Sequence, residues 1–163
     1  MKDYQTFYQK ISKPFLKKSY QQALYYTNKV LTMIMYIAYP ALLIYLFYTH
    51  SVMLVKTILI PAISFLLLSL VRDYINSPRP YEKYSIKPLI HKDTKGHSMP
   101  SRHVFSSAII AMCFIHQNSL LGGLLLLITL IEAYIRVVGG VHFVKDVVVG
   151  FLIGIGCGLL LWI

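Results

Sequence analysis

The chain has 163 residues, of which 56% are hydrophobic and only 13% charged, and its mean hydropathy is +0.60. A water-soluble domain carries about 25% charged residues, so this composition excludes an ordinary soluble globule and predicts one all-helical membrane domain over residues 1-163. Sixteen Lys and Arg against six Asp and Glu leave a net charge of +10. In a membrane chain that excess marks loops and contact with anionic lipid rather than nucleic acid, and it also suits an anionic ligand.

The elements follow in chain order. The first 29 residues are polar, aromatic and basic, without a leading apolar core, so no cleavable signal is expected and targeting falls to the first span. Tyr4, Phe7, Tyr8 and Ile11 recur at helical spacing opposite Asp3, Gln5, Gln9 and Lys10. This pattern predicts a short amphipathic helix on the membrane surface, stopped near Pro14, with a polar-aromatic arm over Phe15–Asn28 continuing along the interface. Five apolar runs come next, at about Val30–Tyr48, Val52–Val71, Val104–His116, Leu120–Ile135 and Val147–Ile163. The first, second and fifth reach the length of a span, with Lys56 snorkelling to the interface. The third and fourth are short and joined by Gln117-Asn118-Ser119, which predicts a helical hairpin. Cys113 and Cys157 sit inside apolar runs and read as packing residues.

A long loop, Arg72–Arg102, separates the second and third runs, and polar patches gather at the ends of the spans. The first patch, Arg72 to Arg79-Pro80, reads alone as a topological anchor. The second, Ser98-Met-Pro100-Ser101-Arg102-His103, runs into the third span. Its helix N-terminus offers free N–H groups to an anion, and Ser101 adds a hydroxyl or simply caps the helix. The third holds Arg136, Gly139-Gly140, His142 and Asp146. The glycines permit a tight turn that returns Arg136 to His142. His142 and Asp146 stand four apart, so the carboxylate can orient the imidazole if the fifth helix has begun there. Five spans put all three patches on one membrane face. Arg72, Arg79 and Arg136 then match the charge of a phosphoryl group, and two histidines can share the work of nucleophile and general acid. Glu132 and Arg136 are also four apart, which predicts a helical ion pair holding the arginine.

These residues resemble the three-part signature of the type 2 phosphatidic-acid phosphatases, a family sharing its fold and site with vanadium haloperoxidases and bacterial class A acid phosphatases. The family pattern is Lys-x6-Arg-Pro, Pro-Ser-Gly-His, and Ser-Arg-x5-His-x3-Asp. The chain reads Arg72-x6-Arg79-Pro80, Pro100-Ser101-Arg102-His103, and Ile135-Arg136-x5-His142-x3-Asp146. The resemblance implies that His142 attacks phosphorus, Asp146 orients it, and His103 protonates the leaving oxygen and then activates water. It assigns the phosphate to Arg72, Arg79, Arg136, Ser101 and the backbone N–H of Arg102, with no metal and no cofactor. The substrate it implies is a membrane lipid phosphate or diphosphate: undecaprenyl diphosphate, phosphatidylglycerol phosphate or phosphatidic acid.

Arg72 stands where the family has Lys, Arg102 where it has Gly, and Ile135 where it has Ser. Arg102 raises the question of backbone angles, and Ile135 removes a phosphate donor. A lipid phosphotransferase using the same histidine differs only in its acceptor, and an anion transporter is the competing non-enzymatic reading. Oligomeric state stays open. The resemblance implies a multi-pass protein of a bacterial cell membrane. Five spans place the N-terminus beside the pocket and Ile163 on the opposite face. The basic loops argue for a cytoplasmic pocket, whereas relatives that recycle lipid carriers face outward.

Overall fold

The computed structural model describes residues 2–163, with side chains from residue 4 onward, so the side chain of Asp3 lies outside the described residues. Its elements are α1 Lys2–Ser12, α2 Lys18–Tyr48, α3 Met53–Ile75, α4 Pro80–Lys83, α5 Arg102–Gln117, α6 Ser119–Val138 and α7 Val144–Leu159. Short 3-10 turns follow α1 at Lys13–Phe15 and α7 at Leu160–Trp162. Among the described residues there is no strand, and the protein is an all-α integral membrane bundle.

Four helices are long and apolar enough to cross a membrane: α2, α3, α6, and α7 with its 3-10 tail. The fifth, α5, has 16 residues and reaches about 24 Å, short of the roughly 30 Å hydrocarbon layer. It lies at the centre of the bundle, in contact with α2, α3, α6 and α7, and Val104, Phe105, Ala108 and Ala111 on it are fully buried. Burial on all sides lets a short helix sit at membrane depth, because its neighbours rather than lipid satisfy its ends. The hairpin turn is as tight as expected. Asn118 alone separates α5 from α6, and its side chain accepts from the Leu121 N–H at 3.0 Å.

The N-terminal part departs from expectation in two ways. The arm over Phe15–Asn28 does not run along the interface as a separate piece; from Lys18 it is the first part of the 31-residue α2. The sequence holds no breaker between Lys18 and the apolar run, so once the turn at Pro14 is passed the helix propagates through. The apolar face of α1 also turns to protein. Tyr8 is buried, its hydroxyl donates to the Lys87 carbonyl at 3.3 Å, and Ile11 packs against the cores that hold Val138 and Val147. Phe7 is left largely exposed.

Pro61 inside α3 removes the N–H that would bond the Thr57 carbonyl. Tyr39 from α2 supplies the donor instead, its hydroxyl 2.9 Å from that oxygen. The span is thereby tied to its neighbour at its weakest turn.

Glycines on α7 set a close helix contact. A Cβ added at Gly150 meets the Ser101 carbonyl at 2.6 Å, one at Gly154 meets Ala108 Cβ at 2.7 Å, and one at Gly158 meets Met112 Cβ at 2.4 Å. These glycines form a small-residue stripe that lets α7 lie directly on α5. Gly156, on the other side, has nothing within 4 Å. The two chain ends lie at opposite ends of the bundle. Ile11 and Phe15 join Ile135, Val138 and Val141 in one cluster, while Leu161 joins Leu46, Met53 and Phe114 in another.

Gly154→Leu is expected to destabilise the bundle by about 1–3 kcal/mol through overpacking, whereas Gly156→Ala leaves it unchanged. Thermal unfolding of the two variants in detergent checks this; equal stability would show that α5 and α7 do not need their close approach.

Candidate active site

Each polar patch is delivered by a helix end. α3 closes at Asn76, whose left-handed backbone (φ 38°) caps the helix, and Arg72 lies in its last turn. The Arg72 guanidinium donates to the carbonyls of Pro100 and His97, tying the end of α3 to the segment entering α5. Arg79 precedes α4, and its Nη1 donates to the Val141 carbonyl at 3.1 Å. Glu82 holds that corner by accepting from the backbone N–H of Arg79 at 2.7 Å and of Gly96 at 2.9 Å.

Ser101 is the N-cap of α5, and its backbone N–H donates to the Asp146 carbonyl at 2.8 Å. Its hydroxyl makes no capping bond and is buried without a partner. Arg102 opens the helix with ordinary negative φ, so its position does not need glycine. The Arg102 side chain lies over the Phe65 ring at 5.4 Å. Ile135, where the family pattern has Ser, is buried against Leu24 and Ile90 and serves packing.

After α6, Gly140 takes φ +76° and the chain folds back, so that the N–H groups of Val141 and His142 both donate to the Arg136 carbonyl at 3.2 and 3.3 Å. The expected turn therefore returns the chain beside Arg136. The expected His142–Asp146 contact is looser than a helix-face pair. His142 lies two residues before α7, and its Nδ1 is 3.7 Å from Asp146 Oδ2, beyond a hydrogen bond. Ser98 fills the gap: its hydroxyl donates to Asp146 Oδ2 at 2.5 Å and lies 3.4 Å from His142 Nδ1. Asp146 also accepts from the Phe143 N–H at 3.0 Å, capping α7.

Glu132 is the main correction. Its carboxylate does not pair with Arg136. Fully buried, it lies 3.0 Å from His103 Nε2 and accepts from Ser107 at 2.5 Å and Thr32 at 3.1 Å. The i,i+4 spacing offers Arg136 as a partner, but α5 packs closely enough on α6 to bring His103 and Ser107 to the carboxylate first. An ionisable group this deep in a membrane bundle is a functional candidate in its own right. The site thus holds two histidine–carboxylate pairs.

Arg72, Arg79, Lys92, Arg102, His103, Arg136 and His142 line one cavity of about 800 Å³. Thr32, Met35 and Tyr36 of α2, Phe65 of α3 and Ile110 of α5 line it too. Among the described residues, all four carboxylate ion pairs use histidine, so none neutralises a guanidinium. Arg79 and Arg136 are buried, and the Nε of each has no partner. Burial pulls the Arg79 guanidinium below its ordinary pKa. Burial likewise carries the His142 imidazole down to about 4, with the charge of Arg79 acting the same way and Asp146 opposing it. His142 is therefore neutral at physiological pH, with a free ring nitrogen.

The PAP2 superfamily model matches residues 41–163, and the chain belongs to that superfamily. Its fold is similar to the crystal structure of LpxE from Aquifex aeolicus, at TM-score 0.75 and 24% identity over 96% of this chain and 93% of that one. It is also similar to the transmembrane PAP2 type phosphatidylglycerolphosphate phosphatase from Bacillus subtilis, at TM-score 0.68 and 22% identity over 99% of this chain and 86% of that one. No curated protein matches the sequence.

Nitrogen NMR of histidine-labelled protein in detergent is expected to show His142 neutral at pH 6 and protonating near pH 4. A midpoint at the ordinary value of about 6.5 would mean that the ring is solvated rather than buried.

Proposed function

We propose that this PAP2 superfamily chain is a membrane lipid phosphatase that works through a phosphohistidine. The observation that carries the reading is the convergence of two carboxylate-supported histidines with the unpaired buried guanidinium nitrogens Arg79 Nε and Arg136 Nε at one cavity. Such donors lack an anion, and a phosphoryl group offers three acceptor oxygens for them. The lining is charged where the helix ends meet and apolar where Met35, Phe65 and Ile110 contribute, which suits a charged head on a hydrophobic tail.

In this reading Asp146, through Ser98, holds the Nδ1 side of His142, leaving Nε2 to attack phosphorus. The bond from phosphorus to the lipid oxygen breaks, and His103, protonated and oriented by Glu132, gives its proton to that oxygen. Water then attacks the phosphohistidine while His103 takes a proton back, releasing inorganic phosphate and restoring neutral His142. The arginines carry the charge of the transition state, the work a metal performs in other phosphotransfer sites. Among the described residues no cluster of three His, Cys, Asp or Glu is arranged to hold a metal. Phosphate release is accordingly expected to survive EDTA and to be inhibited by vanadate.

His142→Ala is expected to abolish phosphate release from phosphatidic acid, phosphatidylglycerol phosphate and undecaprenyl diphosphate, and to remove an acid-labile phosphoenzyme. Retained turnover in His142→Ala, or loss with EDTA that Mg²⁺ restores, would sink the mechanism. Glu132→Gln is expected to slow release from alkyl phosphates by about 10²-fold, the scale of general-acid catalysis. It should affect p-nitrophenyl phosphate much less, because that leaving group needs little protonation. Equal loss on both substrates would make Glu132 a purely structural residue.

A further inference from the structure

Three arginines are enough for one phosphoryl group, yet the cavity holds more positive charge than that. Lys92 reaches it from the middle of the long loop, and Arg102 from the first turn of α5. Neither belongs to the family signature quoted above: Lys92 lies outside it, and Arg102 stands at its glycine. The carboxylates near them are already engaged. Asp73 faces His97 at 3.2 Å, Glu82 accepts from the backbone of Arg79 and Gly96, Asp146 is held by Ser98, and Glu132 by His103.

Lys92 is partly buried among like charges. Burial first, then Arg79, Arg136, Arg72 and Arg102 in turn, draw its ammonium down to about 8. Lys92 lines the same cavity as His103 and His142. Lys95 lines the cavity too, but Lys95 and Arg102 are exposed, so the cost of holding charge there without an anion falls on the partly buried Lys92. A substrate that adds negative charge there offsets that cost. A terminal phosphate carries a charge of about −1.5 to −2, which the three arginines already match.

We propose that Lys92 and Arg102 form a subsite for a second phosphate, carried on the leaving-group side of the substrate. The proposal rests on the phosphatase reading above and narrows its substrate class to lipids with two phosphates. The step is unchanged: the terminal phosphoryl group moves to His142, and the departing oxygen belongs to the fragment that keeps the second phosphate. Lys92 and Arg102 stabilise the charge that grows on that fragment as the bond breaks. Two chemistries present this pattern, a diphosphate joined directly and a terminal phosphate separated from a phosphodiester by glycerol.

The test uses full-length wild type, Lys92→Gln and Lys92→Arg in detergent micelles. Phosphate release is followed on two pairs of matched lipids: a prenyl diphosphate with its monophosphate, and phosphatidylglycerol phosphate with phosphatidic acid. Lys92→Gln is expected to lower the two-phosphate to one-phosphate ratio of kcat/KM by tenfold or more in one pair, and Lys92→Arg to restore it. The affected pair identifies which chemistry the subsite reads. A ratio unchanged in both pairs overturns the proposal, whether Lys92→Gln loses activity equally on all four lipids or on none. A wild type that releases no phosphate from any of the four overturns the phosphatase reading itself, a failure visible without the variants.

Discussion

The candidate site depends on the close packing of α7 against α5. Gly150, Gly154 and Gly158 lay α7 on α5 with no side chain between them, against Ser101, Ala108 and Met112. In a bilayer, where lipid and leucine are equally apolar, such close packing is a main source of helix association. Its consequence at the polar end is a direct backbone bond, from the Ser101 N–H to the Asp146 carbonyl. That bond joins the start of α5, which carries His103, to the start of α7, which follows His142. A side chain at position 150 would push the two helix ends apart, and the histidines with them.

The second constraint is the disposition of charge. Burying carboxylates and guanidinia together usually ends in ion pairs that neutralise both. Here the carboxylates are occupied by histidines, hydroxyls and backbone N–H groups. Glu132 binds three helices together through Thr32, His103 and Ser107, and Asp146 joins Ser98 to the Phe143 backbone. The guanidinia are placed by carbonyl oxygens instead, those of Pro100 and His97 for Arg72 and of Val141 for Arg79. A carbonyl orients an arginine without cancelling its charge. The positive field of the cavity therefore remains available to an anionic ligand.

The loop and the N-terminal helix form the frame around this field. Tyr4 stacks on Tyr84 at 4.7 Å and tilts against Phe143 at 5.0 Å, beside the residue that bears the imidazole. Tyr8 closes on Gly140, where an added Cβ would come within 2.7 Å of its hydroxyl oxygen, and the Ile90 N–H donates to the Gly139 carbonyl. The turn that presents His142 is thus held from outside the bundle by α1 and from the side by the loop. An amphipathic helix expected to lie on lipid turns out to contact the turn that carries His142, because Tyr8 and Ile11 find protein surface there.

Hydropathy alone determined the membrane class, the five apolar helices and the tight hairpin at Asn118, since each depends on runs of apolar residues and the breaks between them. Motif spacing singled out Arg72, Arg79, Ser101, His103, Arg136, His142 and Asp146, because the Gly139-Gly140 turn and the helix ends are local features that a linear pattern records. What the sequence could not carry were contacts made across helices. Thr32 and Ser107 look like ordinary polar residues in apolar runs, and Lys92 like one basic residue among several in a loop. Glu132 is the sharpest case: its spacing points to Arg136 on its own helix, yet its partners come from α2 and α5. Local periodicity reports which residues share a face. Which neighbour that face meets is decided by helix packing, here of α6 on α5 at Gly122, where an added Cβ would meet the Ile115 backbone at 2.3 Å.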